Sequence, residues 1–258
     1  MEQLRRVASR DGTSIGYLPT GTGPPLVLVH GSPADHSTFE LLIPHLEPWV
    51  TVCAMDRRGR GMSGDGPSYA HEWEFEDVAA VVDALGPDTA VFGHSYGAVV
   101  ALEAARLTTN LRRLVLYEPW IGRYPDGLIN ELQQLASSGD REAVVTTIFR
   151  RLLGMTDAEL DRYRAHPSWR SRVALAEVNV REATAEDAYE FDHQRLADVR
   201  VPTLLLVGGD SPPDMRATID MVHDALPNST IDEIPGQQHL AHRMAPELLA
   251  SRIIEFVE

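Results

Sequence analysis

The sequence contains no lysine, because all 23 of its basic residues are arginine. A chain without lysine cannot form a Schiff base with a carbonyl substrate, and it has no lysine to place in a Walker-type phosphate loop. The composition alone therefore excludes Schiff-base enzymes and nucleotide-binding proteins of the lysine-dependent loop type.

Cysteine and long apolar segments are also scarce. Cys53 is the only cysteine, and it lies in the apolar run 50–55, which predicts a buried strand residue in a reducing compartment. No run of 18 apolar residues is present, and no apolar stretch follows Arg5 and Arg6. We therefore expect neither a transmembrane helix nor a signal peptide, and we predict a cytoplasmic protein.

Acidic residues outnumber basic residues by 38 to 23, which gives the chain a formal net charge of -15. Nucleic acids and anionic membranes would repel such a chain, so neither is expected as a partner. The balance favours a small, apolar and uncharged or cationic molecule as substrate. We predict no cofactor and no metal site, and the sequence does not indicate an oligomeric state.

What the sequence does contain is a regular alternation of apolar runs and amphipathic segments. The apolar runs are typical of buried parallel strands and lie at 25–30, 50–55, 91–94, 111–117 and 201–208. Residues 3–8 and 13–18 predict a further antiparallel pair at the edge. The sequence thus predicts an α/β fold with a mostly parallel, doubly wound sheet.

The alternation stops between residues 120 and 199. This stretch has no convincing strand pattern and reads as several short helices, which predicts a helical lid, or cap, inserted between two late strands. Residues 1–119 and 200–258 are then the core. Aromatic residues of the stretch either line a pocket or form the lid's own core; they are Trp120, Tyr124, Phe149, Tyr163 and Trp169.

The most informative motif is Gly93-His94-Ser95-Tyr96-Gly97, a Gly-x-Ser-x-Gly pentapeptide between an apolar strand and a helical pattern. Side chains at the two glycines would collide across such a sharp turn. The turn would present the Ser95 hydroxyl at the end of the strand, where it suits a nucleophile.

Parallel strands gather reactive groups at their carboxyl ends, and four such ends carry candidate chemistry. They hold Ser32, Ser95, Asp210 and His239, in the order serine, acid, histidine. The segments that carry these four residues, together with the loop that begins at Asp56, make the chain resemble an α/β-hydrolase of the small bacterial esterase, lactonase and haloperoxidase-like group. The resemblance spans nearly the whole chain outside the lid.

The resemblance implies roles that chemistry also supports. A serine hydroxyl needs an imidazole to accept its proton, and we predict His239 as that base, with His242 as the rival. His94 is expected to point away from the nucleophile, and His30 is expected to be structural. The resemblance implies that the backbone N–H groups of Ser32 and Tyr96 form the oxyanion hole.

The catalytic acid is the least secure assignment. We predict Asp210, although the family commonly sets its acid three residues beyond the strand-ending glycine and Asp210 is only two beyond Gly208. Glu118, after the strand that ends at Tyr117, is the second candidate and Asp214 the third. In the Asp56 loop, Arg58 and the glycines are interpreted as bracing the turn without a chemical part.

These features predict a serine hydrolase with a Ser-His-Asp triad that cleaves an ester, lactone or similar carbonyl of a small apolar molecule through an acyl-enzyme. The scaffold also supports C–C hydrolases, perhydrolases and lyases, so the fold does not determine the reaction. A third hypothesis is a ligand-binding, receptor-like protein that turns over slowly or not at all.

Overall fold

A computed structural model describes residues 3–152, 154–165 and 169–258 of the chain. Within these residues the chain forms eight strands: β1 (Arg5–Ala8), β2 (Ser14–Gly21), β3 (Pro25–Val29), β4 (Thr51–Met55), β5 (Thr89–His94), β6 (Leu111–Tyr117), β7 (Thr203–Gly208) and β8 (Ser229–Ile234).

The same residues form a 3-10 helix (His36–Phe39) and twelve α-helices. These are α1 (Ile43–Leu46), α2 (His71–Leu85), α3 (Tyr96–Ala104), α4 (Leu128–Ser137), α5 (Arg141–Arg151), α6 (Asp157–Arg164), α7 (Trp169–Ala174), α8 (Ala176–Ala188), α9 (His193–Leu196), α10 (Pro213–Ala225), α11 (Ala241–Met244) and α12 (Pro246–Val257). No helix among the described residues is long and apolar enough to cross a membrane.

The eight strands form one sheet in the order β1-β2-β4-β3-β5-β6-β7-β8. Strand β2 pairs antiparallel with β1 and with β4, and every other pair is parallel. The predicted mostly parallel sheet and its antiparallel edge are confirmed. The central strands read as continuous apolar runs because helices cover both of their faces: α1 and α12 pack on one, while α2 and α3 contact β3 and β5.

The register of the parallel strands brings their carboxyl ends to one edge of the sheet. Val29 at the end of β3 is opposite Gly93 in β5, and His94 is opposite Tyr117 at the end of β6. Tyr117 is in turn opposite Leu206 near the end of β7. The residues that follow these strands are therefore neighbours, although they are far apart in sequence.

The chain divides into two compact units, Met1–Ile121 with Phe191–Glu258, and Gly122–Glu190. The second unit is shorter than the predicted insertion 120–199, of which residues 153 and 166–168 lie outside the described part of the chain. Helix α9 belongs to the first unit, where Arg195 donates to Glu103 of α3 at 2.7 Å. A role as a lid stays a prediction.

The helical unit has a hydrophobic core of its own. Phe149 and Trp169 are buried in it, and the Tyr163 ring lies edge-on to both, with ring centroids 5.1 Å and 5.9 Å away. Tyr124 belongs to the same cluster. These contacts favour the interpretation of Tyr124, Phe149, Tyr163 and Trp169 as core of the helical unit, whereas Trp120 belongs to the first unit.

Candidate active site

Ser95 occupies the turn between β5 and α3 in a backbone conformation that is rare for a residue with a side chain, with φ 58° and ψ -127°. The flanking glycines make this turn sterically feasible. A Cβ on Gly93 would lie 2.6 Å from the Cα of Ala98, and a Cβ on Gly97 would lie 2.4 Å from the carbonyl oxygen of His30. The strained turn holds the Ser95 hydroxyl at the carboxyl edge of the sheet, as the sequence predicted.

The end of β3 packs directly against this turn. A Cβ on Gly31 would lie 2.8 Å from the Cβ of Ser95, so only glycine fits there. Ser32, the next residue, and Tyr96, the first residue of α3, are the positions expected to supply oxyanion donors. His30 is buried, and its Nε2 accepts from the backbone N–H of Arg57 at 3.2 Å, which fits the structural role predicted for it.

His239 forms its side-chain hydrogen bond with Glu118. Its Nδ1 lies 2.8 Å from Glu118 Oε2, so Nδ1 donates to the carboxylate, and the tautomer that does so carries its lone pair on Nε2. No hydrogen bond joins Ser95 Oγ to His239 in the structure. In active sites without substrate such contacts are commonly loose and tighten when substrate binds.

Glu118 is completely buried and, like Ser95, has a positive φ, here 45°. Its Oε1 accepts from the Gly208 N–H at 2.8 Å and from the Ser211 hydroxyl at 2.5 Å. Burial would raise the pKa of Glu118, but these bonds and the one to His239 outweigh it and hold the pKa below its usual value. Glu118 is thus an ionised carboxylate beside an imidazole.

Asp210, the first sequence candidate for the acid, does not take this position. Its side chain is exposed, and its backbone N–H donates to the Gln237 carbonyl at 2.9 Å. The turn after Gly208 directs Ser211 toward Glu118 instead. Asp214 is also exposed, in the first turn of α10. The expected pairing of His239 with Asp210 is therefore corrected to a pairing with Glu118.

His94 contacts the segment that carries His239. Its Nε2 lies 2.8 Å from the His239 carbonyl oxygen, to which it donates. The Tyr117 hydroxyl donates to the Gln238 carbonyl and accepts from the Ala241 N–H at 3.3 Å. Two side chains from the sheet therefore fix the backbone of the histidine loop, a role that the sequence analysis did not identify for either residue.

His242 differs from His239 in its surroundings. It is buried, and its Nε2 lies 3.4 Å from Thr38 Oγ1, with no carboxylate partner among the described residues. Burial, and then the charge of His239, lower the pKa of His242 to about 3. Burial likewise holds the pKa of His94 well below its usual value. The side chains of His242 and His94 are therefore neutral. The geometry favours His239 over His242 as the base.

Ion pairs and hydrogen bonds of buried charged side chains hold the loop after β4 in place. Asp56 is buried and accepts hydrogen bonds from the backbone N–H and the Nδ1 of His36, and from the Met62 N–H. Arg58 is buried and binds Asp77 of α2 through two bonds of 2.7 Å. Bracing of the turn by Arg58, as predicted, is confirmed.

The His36–Asp56 pair predicts a pH-dependent contribution to stability. The hydrogen bond to Asp56 raises the pKa of His36 above its usual value, although burial opposes the shift. A raised pKa in the folded state means that the pair stabilises the fold fully below the unfolded-state pKa of about 6.5, and that this contribution is lost as pH rises through the folded-state pKa. We expect His36→Gln to lower the urea midpoint more at about pH 5.5 than at about pH 9.

The exposed His45, whose side chain makes no hydrogen bond to the described residues, provides the matched control His45→Gln. That variant should leave the midpoint unchanged at both pH values. An equal loss for His36→Gln at both pH values would contradict the role of the protonated pair.

The arrangement suits covalent catalysis by a nucleophile. It contains a hydroxyl on a strained turn, an imidazole with an ionised carboxylate partner, and backbone N–H groups at the start of a helix, where the helix dipole favours negative charge. Among the described residues, no group of three or more His, Cys, Asp or Glu side chains is placed to hold a metal ion.

Comparison with known proteins identifies the family of the chain. A model of the alpha/beta hydrolase family matches residues 26–252. The chain is similar to N-formylmaleamate deformylase of Pseudomonas putida, with 31% identity over 205 residues that cover 73% of this chain and 72% of the relative. It is also similar to pimeloyl-(acyl-carrier protein) methyl ester esterase of Pectobacterium atrosepticum, with 28% identity over 247 residues that cover 90% and 94% of the two chains.

A solved alpha/beta hydrolase from Sphaerobacter thermophilus is similar over 98% of this chain and 100% of its own, with 33% identity and a TM-score of 0.86. The family model covers most of the chain, including the Ser95 turn and His239. The chain therefore belongs to the alpha/beta hydrolase family and is a hydrolase of that scaffold.

Proposed function

We propose that the protein is a serine hydrolase that cleaves an ester, lactone or similar carbonyl bond of a small apolar molecule through an acyl-enzyme. Ser95 is the nucleophile, His239 the general base and Glu118 the acid. The observation that carries the proposal is the 2.8 Å bond between His239 Nδ1 and the buried Glu118, at the same sheet edge as the strained Ser95 turn.

The mechanism follows from these groups. His239 Nε2 accepts the hydroxyl proton as Ser95 Oγ attacks the carbonyl carbon, and the carbonyl oxygen becomes an oxyanion held by the N–H groups of Ser32 and Tyr96. The imidazolium then gives its proton to the leaving oxygen, and the ester bond breaks. Water repeats the sequence on the acyl-enzyme, which releases the acid and restores Ser95.

Glu118 has two roles in these steps. Its carboxylate holds the Nδ1–H tautomer of His239, so that the lone pair on Nε2 is available to the hydroxyl. Its negative charge stabilises the imidazolium that forms as the hydroxyl proton moves. The hydrogen bonds from Gly208 and Ser211 keep the carboxylate ionised and fixed for both roles.

The test is incubation with a fluorophosphonate probe, together with an assay of p-nitrophenyl acetate hydrolysis. We expect the probe to label Ser95 covalently and to abolish hydrolysis in proportion to the labelling. A protein that is not labelled and does not hydrolyse the ester would support the receptor-like hypothesis.

The cytoplasmic location of the protein stays a prediction.

The family member from Pectobacterium atrosepticum is a methyl ester esterase, which supports an ester as the substrate class. The relative from Pseudomonas putida is a deformylase of N-formylmaleamate, an anion, which favours cleavage of an N-acyl bond as the second candidate. The two candidates differ in the bond that is cleaved and in the charge that the site accepts.

The charge of the preferred substrate distinguishes the ester candidate from the N-acyl candidate. The net charge of -15 disfavours approach of anions, so we expect kcat/KM to be higher for p-nitrophenyl butyrate than for the p-nitrophenyl monoester of succinic acid. The two acyl chains match in length and differ in a terminal carboxylate. A higher kcat/KM for the succinate ester would contradict the apolar preference and favour substrates like that of the deformylase.

A further inference from the structure

Arg57 is a buried cation beside the residues proposed to form the oxyanion hole. It follows β4, and only 1% of its surface is exposed. Its Nη1 donates to Glu74 Oε2 of α2 at 2.7 Å, and the Tyr69 hydroxyl donates to the other oxygen of that carboxylate at 2.5 Å. Burying an ion pair carries a large desolvation cost, so hydrophobic residues of similar size often stabilise a fold as well. A role besides stability is therefore expected.

The rest of the Arg57 guanidinium contacts the end of β3 and the start of α3. Arg57 Nη2 donates to the Gly31 carbonyl at 3.1 Å and to Ser32 Oγ at 3.2 Å. Its Cζ lies 4.9 Å from the centroid of the Tyr96 ring, a cation–π distance. One side chain thus touches both residues whose backbone N–H groups are the proposed oxyanion donors.

The bond to the Gly31 carbonyl acts on the Ser32 donor through a single rigid group. The Gly31 carbonyl and the Ser32 N–H belong to the same peptide unit, which is planar, and in a trans peptide they point in opposite directions. The Gly31 carbonyl accepts from His30 Nδ1 at 2.9 Å and from Arg57, and the two donors together fix the direction of the N–H on the other side of the peptide. Of the two donors, Arg57 carries the positive charge. It also polarises the peptide, which strengthens that N–H as a donor.

We propose that Arg57 is a positioning residue for the oxyanion hole, which fixes the Gly31–Ser32 peptide so that the Ser32 N–H faces the developing oxyanion. This inference rests on the proposed function. It assigns a task to the loop after β4 that the sequence analysis interpreted as bracing alone.

The neighbouring Arg58 provides a matched control. It is also completely buried, and it pairs with Asp77 at 2.7 Å and with Asp11 at 2.9 Å. Asp77 belongs to α2, as does the partner of Arg57. None of the hydrogen bonds of Arg58 reaches the proposed oxyanion donors. The two arginines therefore share burial and pairing, and differ in contact with the site.

The experiment compares two charge-balanced double variants, Arg57→Met/Glu74→Gln and Arg58→Met/Asp77→Asn, so that each arginine is removed together with its most buried carboxylate partner. Asp11, the second partner of Arg58, is partly exposed to solvent. For p-nitrophenyl acetate we expect the Arg57 variant to lose on the order of 10- to 100-fold in kcat, less than the 10²- to 10³-fold that follows loss of a whole oxyanion donor. Its KM should change little, and fluorophosphonate labelling should slow by a similar factor. The Arg58 variant should lose thermal stability but keep kcat within about twofold.

A third variant, Arg57→Lys, keeps the positive charge but not the planar fork that bridges Glu74 and Gly31. It should fold and show a loss of about tenfold in kcat, which keeps the test decisive if the double variant does not fold. Unchanged kcat in the Arg57 variants, or an equal loss of kcat in the Arg58 variant, would overturn the role proposed for Arg57. The proposed function would still stand in that case, provided that the probe labels Ser95 in the wild type. Absence of that labelling would overturn both.

Discussion

We expect Glu118→Gln to lower kcat by a factor on the order of 10⁴ while the protein stays folded. The amide of glutamine can donate to His239 Nδ1, which would place the imidazole proton on Nε2 and block acceptance of the Ser95 proton. It also removes the charge that stabilises the imidazolium. The measurement is kcat for p-nitrophenyl acetate, with circular dichroism to check folding.

Asp210→Asn is the matched control, because it makes the same chemical change at the exposed candidate that follows β7. That variant should retain most of the activity. Loss of activity in Asp210→Asn together with retention in Glu118→Gln would show that the acid is the one predicted from the sequence. The hydrogen bond between His239 and Glu118 would then have no catalytic part.

We also expect Ser95→Ala to abolish covalent labelling and to lower turnover by several powers of ten, leaving about 10³- to 10⁴-fold catalysis over water from the remaining site. The substitution removes one oxygen at a turn and opens no large cavity, so thermal stability should change little. Ser251→Ala, at an exposed serine of α12, should affect neither property. Hydrolysis by Ser95→Ala at nearly the wild-type rate would mean that another nucleophile acts.

The fold could be predicted because its main signals are local. Continuous apolar runs indicate strands covered on both faces, and glycine-rich turns mark their ends. The Gly93-His94-Ser95-Tyr96-Gly97 motif located the strained turn at Ser95 for the same reason, since the steric demands of that turn are met within five residues. The position of β4 between β2 and β3, in contrast, does not follow from the order of the strands along the chain.

The carboxylate partner of His239 could not be predicted in the same way, because two strand ends compete for one imidazole. Ser211, three residues beyond Gly208, stands where the family commonly sets its acid, and its hydroxyl donates to Glu118 instead. Glu118 reaches His239 from a backbone with φ 45°, a conformation that no sequence pattern predicts for glutamate. Its geometry depends on tertiary contacts.

Burial of charge was also beyond the sequence analysis. The loop 56–64 is predicted from its sequence as a turn braced by Arg58 and the glycines, but no sequence pattern indicates that Asp56, Arg57 and Arg58 are all buried. Each of them has a partner on α2 or on the 3-10 helix at a sequence distance of about 20 residues, and Arg58 has a second partner in Asp11, 47 residues away. No local pattern connects these positions. The role proposed for Arg57 therefore depends on tertiary structure.

The proposal that Ser95 forms an acyl-enzyme is tested most directly by rapid mixing with p-nitrophenyl acetate, followed by acid quench and mass spectrometry of the peptides. We predict a burst of p-nitrophenolate close to one equivalent of enzyme, and an acetyl group on the peptide that contains Ser95. Glu118→Gln should form the same adduct far more slowly. Steady hydrolysis with no burst and no acetylated Ser95, or an acetyl group on another residue, would contradict the account.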